Sequence, residues 1–181
     1  MNRPIFLIGY MGCGKTTLGA ALAQVLQRRF LDLDHCLEQR HGQSVSELFA
    51  RLGEARFRRL EHEALQQVAA MTDVVVSCGG GTPCHDDNIR LMNHMGITVW
   101  LTTGEERLTE RLLRPEEQAK RPLLADKSPD EMASDVHQRL KARTPYYSEA
   151  QLTFDSTDIE DGPSTIRTAR RLAQVLQAIG R

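Results

Sequence analysis

The chain has 181 residues and a formal net charge of −1, with 40% hydrophobic and 26% charged residues, the make-up of one globular domain with a substantial core. A second large domain within this length is excluded. So is a charged field that would draw in nucleic acid, and the 23 basic residues must therefore be judged one by one. No apolar stretch approaches the roughly 20 residues of a membrane span, and Met1-Asn2-Arg3-Pro4 leads straight into the first apolar run. A cytoplasmic protein with no membrane or nucleic-acid partner is expected. Cys13, Cys36, Cys78 and Cys84 lack C-x-x-C spacing, which argues against a zinc site and suits a reducing compartment. Cys13, in a glycine-rich loop, is expected to be exposed and modifiable.

In chain order, Pro4 to Ile8 predicts a first, buried strand. Gly9-Tyr10-Met11-Gly12-Cys13-Gly14-Lys15-Thr16 follows it and matches G-x-x-x-x-G-K-[ST], the phosphate-binding P-loop, in the strand-then-helix context that the motif needs. Its glycines let backbone N–H groups turn inward around a polyphosphate, and the helix starting at Lys15 adds its positive end. Lys15 would reach the β- and γ-phosphates, and the Thr16 hydroxyl would hold Mg²⁺. The helix from Lys15 to about Gln27 carries Leu18, Ala21, Leu22, Val25 and Leu26 on one face.

Phe30 to Leu33 predicts a second strand, and Ser44 to Ala70 a helical region interrupted at Gly53. Val74-Val75-Val76 and Ile97 to Leu101 read as central strands covered on both faces. Arg114 to Pro122 is polar, holds two prolines and predicts a mobile surface loop. Arg143 is expected to end a helix ahead of Pro145. Leu152 to Asp155 predicts the last strand, with a helix from about Ser164 to Ala178. Strands alternating with helices define an α/β fold with a five-stranded, mainly parallel sheet.

Asp32 and Asp34 stand two residues apart on or just past the second strand, which puts both at the carboxyl edge of the sheet where α/β proteins bind ligands. Asp32 is assigned to the metal shell, because the third apolar run ends in Ser77 rather than in an aspartate. Asp34 is then free to accept a hydroxyl proton. The ordinary alternative is that these carboxylates cap the helix beginning near His35. Gly79-Gly80-Gly81 follows the third strand, costly in chain entropy and sensible only where a ligand or a second backbone comes close. Among the arginines, Arg58 on its own predicts a solvated face paired with Glu61, Arg121 a group that closes over a transferring phosphate, and Arg143 a partner for a helix C-terminus.

The P-loop with Thr17, Asp32-Leu33-Asp34, Phe57-Arg58-Arg59-Leu60-Glu61, Gly79-Gly80-Gly81, Arg121-Pro122-Leu123-Leu124 and Arg143-Thr144-Pro145-Tyr146-Tyr147 together resemble the shikimate kinase family, along nearly the whole chain. The resemblance implies a three-layer α/β/α P-loop fold with a five-stranded parallel sheet, a helical substrate-binding region about 34–61 and a mobile lid about 112–126. It implies transfer of the γ-phosphate of ATP to the 3-hydroxyl of shikimate, with Mg²⁺, in a chain expected to be monomeric. Asp34, Arg58, Gly79, Gly80, Gly81 and Arg143 would meet shikimate, with Lys15, Asp34 and Arg121 catalytic. Gly12, Cys13, Gly14, Lys15, Thr16, Thr17, Arg114 and Arg121 would hold the nucleotide, and Thr16 and Asp32 the metal, which Ser77 would join through a water. For the adenine, Arg111 and Arg114 both qualify, as does the loop Ser156-Thr157-Asp158. A gluconate or nucleoside monophosphate kinase, and a nucleotide-sensing module without catalysis, are the competing readings.

Overall fold

In the computed structural model, which describes residues 2–119, 124 and 127–179, strand β1 (Ile5–Ile8) is buried along its whole length. It lies at the centre of a five-stranded sheet with β2 (Arg29–Asp32), β3 (Val74–Ser77), β4 (Ile97–Thr102) and β5 (Leu152–Asp155) in the order β2-β3-β1-β4-β5. Every pairing is parallel, with Ile5 level with Val75 on one side and Ile97 on the other. Parallel strands need crossovers that cover both faces, which explains why the central runs are continuously apolar rather than alternating. The expected three-layer α/β/α architecture is the one observed.

Helix α1 (Lys15–Leu26) packs against the terminal helix α9 (Gly162–Ile179) and against β3. Three helices fill the segment between β2 and β3: α2 (Leu33–His41), α3 (Val45–Leu52) and α4 (Glu54–Ala69). Ser44 and Glu47 form a reciprocal capping box that starts α3, and Gly53 separates α3 from α4, where the sequence shows its break. After the 3-10 turn Thr82–Cys84 come α5 (Asn88–Met95), α6 (Glu105–Leu112), a short α7 (Pro115–Ala119) and α8 (Pro129–Tyr147). No helix among the described residues is long and apolar enough to cross a membrane.

The structure departs from the sequence reading at four places. The second strand ends at Asp32, because Leu33 already belongs to α2: the Asp32 carboxylate accepts the Asp34 and His35 amides and opens the helix. Part of the expected loop from Arg114 to Pro122 is α7, which has proline at its first position and Glu116 and Glu117 in its first turn, as a helix N-terminus prefers. Helix α8 runs through Pro145 to Tyr147 instead of ending at Arg143. Only two residues follow the proline in the helix, the Thr144 hydroxyl donates to the Leu140 carbonyl, and the full burial of Tyr147 offsets the lost backbone bond. Finally, Cys13 is buried rather than exposed, since its thiol packs under the loop it belongs to.

Candidate active site

Three glycines of the phosphate loop, Gly9, Gly12 and Gly14, have positive φ, the conformation that rotates successive amides into a concave nest. No side chain caps α1 at Gly14, so the amides of Lys15, Thr16 and Thr17 at its first turn have no intrahelical acceptor. That is an anion site built from backbone. Lys15 Nζ donates to the carbonyls of Gly9 (2.9 Å) and Tyr10 (3.0 Å), which keeps its charge at the mouth of the nest. The Cys13 amide, by contrast, donates back to the Tyr10 carbonyl.

At the edge of the nest the Thr16 hydroxyl donates to Asp32 Oδ2 at 2.7 Å and lies 3.4 Å from the Ser77 hydroxyl. One carboxylate serves two purposes here, since Asp32 Oδ1 caps α2 while Oδ2 meets Thr16. The donors are all oxygen, which suits a hard divalent cation that keeps several waters and phosphate oxygens as ligands. A closed protein cage is a different matter: no group of three or more His, Cys, Asp or Glu side chains among the described residues is placed to hold a metal.

Asp34 stands across from this edge. Its carboxylate receives no hydrogen bond from a described residue, and burial, then the neighbouring Asp32 and Glu61 carboxylates, push its pKa up to about 7, with Lys15 opposing them. An acceptor for a proton near neutral pH is the result.

The glycine run after β3 shows how the remaining groups converge. A Cβ on Gly79 would fall 2.9 Å from Asp34 Oδ1 and 3.0 Å from Glu61 Oε1; on Gly80, 3.1 Å from Arg143 Nη1 and 3.5 Å from the Gly9 carbonyl; on Gly81, 2.8 Å from Arg58 Nη1. Consecutive residues thus touch Asp34, Arg143 and Arg58 in turn, and Gly80 adjoins the same Gly9 carbonyl that holds Lys15. The absent side chains make room for functional groups coming from α2, α4 and α8. Both arginines therefore face one region beside Lys15.

Each arginine is held by neighbours. Arg58 Nη1 donates to Glu61 Oε2 at 2.6 Å, and Glu54 accepts from its other side. Burial works against the Arg58 charge, and Glu61 and then Glu54 more than offset it. Unlike a solvated i,i+3 pair, this one has a buried anion: Glu61 is 2% exposed, and its second oxygen accepts from the Thr82 hydroxyl at 2.7 Å. Arg56 and Arg59 point to solvent. The Arg143 guanidinium lies over the ring of Tyr10, 5.6 Å from its centroid, in cation–π contact that ties α8 to the phosphate loop. Tyr147, four residues on, donates its hydroxyl to the Gly80 carbonyl at 2.6 Å and packs against Trp100.

The two adenine candidates separate. Arg111 is buried, with its guanidinium bonded to the carbonyls of Gly12, Thr157 and Ile159, whereas Arg114 is exposed at the start of α7. Arg121 lies outside the described residues. The groups that sequence reasoning passed over, Tyr10, Thr82 and the holding role of Glu61, sit inside or beside motifs already singled out; only their contacts mark them.

A parallel sheet in this order, a P-loop after β1, and facing carboxylate and arginines across a glycine run define a small-molecule kinase of the P-loop class. The shikimate kinase family profile matches residues 11–178. The shikimate kinase of Bacteroides thetaiotaomicron is 43% identical over 96% of this chain and 98% of its own length. Its crystal structure superposes with a TM-score of 0.93 at 42% identity, covering 98% of this chain and 99% of that one. A shikimate kinase from Acinetobacter baumannii, solved in complex with shikimate, is 32% identical with a TM-score of 0.83 over 98% and 94% of the two chains. The chain belongs to the shikimate kinase family.

Proposed function

We propose that this chain transfers the γ-phosphoryl group of ATP to the 3-hydroxyl of shikimate, giving shikimate 3-phosphate for chorismate and aromatic amino-acid biosynthesis, as a cytoplasmic monomer. As a member of its family the chain phosphorylates shikimate with ATP. The observation that carries the residue assignment is the convergence of Arg58, Arg143 and Asp34 on Gly79 to Gly81, beside the loop that holds Lys15.

In this reading ATP lies with its phosphates in the nest of Gly12 to Thr17. Thr16 and Asp32 would hold Mg²⁺, with Ser77 joining through a water, and the chemistry it would supply there is neutralisation of phosphate charge. The helical region formed by α2, α3 and α4 receives shikimate. Arg58 and Arg143 fork onto its carboxylate, while the Gly79 to Gly81 backbone closes on the ring and Asp34 takes the hydrogen bond of the attacking hydroxyl. An anion leaving water needs such compensating charge. Lys15 and Arg121 stabilise charge on the moving phosphoryl, Arg121 from a lid about 112–126 that excludes water, and Arg114 meets the adenine. Because the transition state is loose, most of the rate enhancement comes from positioning and electrostatics.

A gluconate or nucleoside monophosphate kinase would share the nest without requiring two arginines around a glycine run. The test is ADP release with shikimate, gluconate and nucleoside monophosphates as acceptors. Turnover with shikimate alone supports the proposal; turnover with another acceptor, or ATP binding without turnover of any, contradicts it.

A further inference from the structure

The two arginines on the acceptor side are held by different chemistry. Arg58 is met by carboxylates, the buried Glu61 at 2.6 Å and the exposed Glu54 at 3.2 Å, in addition to the rings of Phe49 and Phe57. Among the described residues no carboxylate lies within ion-pair distance of Arg143. Its guanidinium lies over the Tyr10 ring instead, and a Cβ on Gly80 would fall 3.1 Å from Nη1 on another side. The difference decides which charge is open to a ligand. Arg58 is already balanced within the protein, so an incoming anion shares it with Glu61. The face of an aromatic ring orients a guanidinium through its quadrupole and brings no net negative charge. Arg143 is therefore fixed in place with its charge still uncompensated, the state that attracts an anion most strongly.

Tyr10 is itself immobilised. It is 1% exposed, and its carbonyl accepts from Lys15 Nζ at 3.0 Å and from the Cys13 amide at 3.3 Å. Its hydroxyl has no hydrogen-bond partner among the described residues. A buried phenol hydroxyl left unbonded costs stability, so the side chain contributes through its ring face rather than its polar end. Tyr10 thus joins the two halves of the site, with its backbone tied to the catalytic lysine and its ring to the acceptor-side arginine. The guanidinium that meets the acceptor is held in register with the loop that holds the phosphates, and such registration is what brings two reactants into line.

We propose that Tyr10 is a positioning residue that sets acceptor specificity: its ring face holds Arg143 without neutralising it, which reserves that guanidinium for the carboxylate of the acceptor. This rests on the reading that Arg143 grips a ring carboxylate. Tyr10 touches no reacting atom and acts through Arg143.

The test compares full-chain Tyr10→Phe, which keeps the ring, with Tyr10→Leu and Tyr10→Met, which fill similar space without a π face. Each is assayed for kcat/KM with shikimate and with its methyl ester, which lacks the anion. Tyr10→Leu and Tyr10→Met should raise the shikimate KM by about tenfold, as expected for a lost cation–π contact in a desolvated site, with the ATP KM within about twofold. Their preference for acid over ester should shrink by about fivefold or more, while Tyr10→Phe keeps it within about twofold of wild type. In an Arg143→Ala background, Tyr10→Leu should change the preference no further. A merely structural role would depress acid and ester equally, and that result, or an undiminished preference in the folded Leu and Met variants, would overturn the inference. So would loss of the preference in Tyr10→Phe, or failure of both Leu and Met variants to fold, which would leave Tyr10 as a support of the fold alone. Wild type judges the reading beneath: if it does not distinguish acid from ester, the carboxylate grip itself fails and the inference falls with it.

Discussion

The phosphate half and the acceptor half of this site are built in opposite ways. The phosphate half is contiguous: Gly9 to Thr16 supply the nest almost entirely from backbone, fixed by positive-φ glycines and an uncapped helix start. The acceptor half is assembled from side chains of α2, α4 and α8, which meet only because Gly79 to Gly81 occupy no space between them. A nest of amides serves any polyphosphate, whereas specificity for one acceptor needs groups placed in three dimensions. The division explains how kinases of this class share one half and differ in the other.

Lys15 breaks the comparison most severely, because its side chain holds a positive charge at the mouth of the backbone-built half. Lys15→Ala should lower kcat by about a thousandfold or more, as for a cation stabilising a transferring phosphoryl group, measured as ADP release at saturating shikimate. Next comes Asp34. Asp34→Asn should keep ADP binding while turnover falls by about a hundredfold or more; full activity would remove Asp34 as base or orienter.

The same substitution has a stability signature. Because the folded state keeps the Asp34 proton up to about pH 7 and the unfolded chain releases it near 4, stability is lost as pH rises between those values and stays low above them. Free of nucleotide and Mg²⁺, Asp34→Asn should melt about 2–5 °C above wild type at pH 8, with the gap closing towards pH 4 in a melting series. The smallest effect belongs to Tyr147. Tyr147→Phe deletes one bond to the Gly80 carbonyl, worth about 1 kcal/mol, and should raise the shikimate KM by about fivefold while leaving the ATP KM unchanged.

The same division decides what was legible in the sequence. The P-loop could be read because its function lies in consecutive residues, and the sheet because Ile5–Ile8, Val74–Val76 and Ile97–Leu101 are continuous apolar runs that only a covered parallel sheet accommodates. The aspartates were legible as a pair but not in their geometry. Period-two alternation put them on or just past one strand, with capping of a helix near His35 as the alternative; Asp32 ends β2 as that cap, and Asp34 lies in the first turn of α2. Spacing left Arg58 as an ordinary surface pair with Glu61, because burial of the anion depends on α4 packing against the 3-10 turn that carries Thr82. Arg143 was misplaced at a helix end since the anchoring of Tyr147, which carries α8 past Pro145, is a tertiary contact. Arg111 and Arg114 qualified equally for the adenine in sequence, and only tertiary structure separates them, since Arg111 is buried against the carbonyls of two distant loops while Arg114 is exposed.

The central claim is that guanidinium groups on the acceptor side grip a ring carboxylate. Steady-state kinetics of wild type and Arg143→Ala with shikimate and with its methyl ester test it most directly, since the ester removes the anion and keeps the hydroxyls. Wild type should prefer the acid by about a hundredfold in kcat/KM, and that preference should shrink by about tenfold or more in Arg143→Ala. Equal turnover of acid and ester by wild type, or a preference that survives the loss of Arg143 undiminished, would contradict the account.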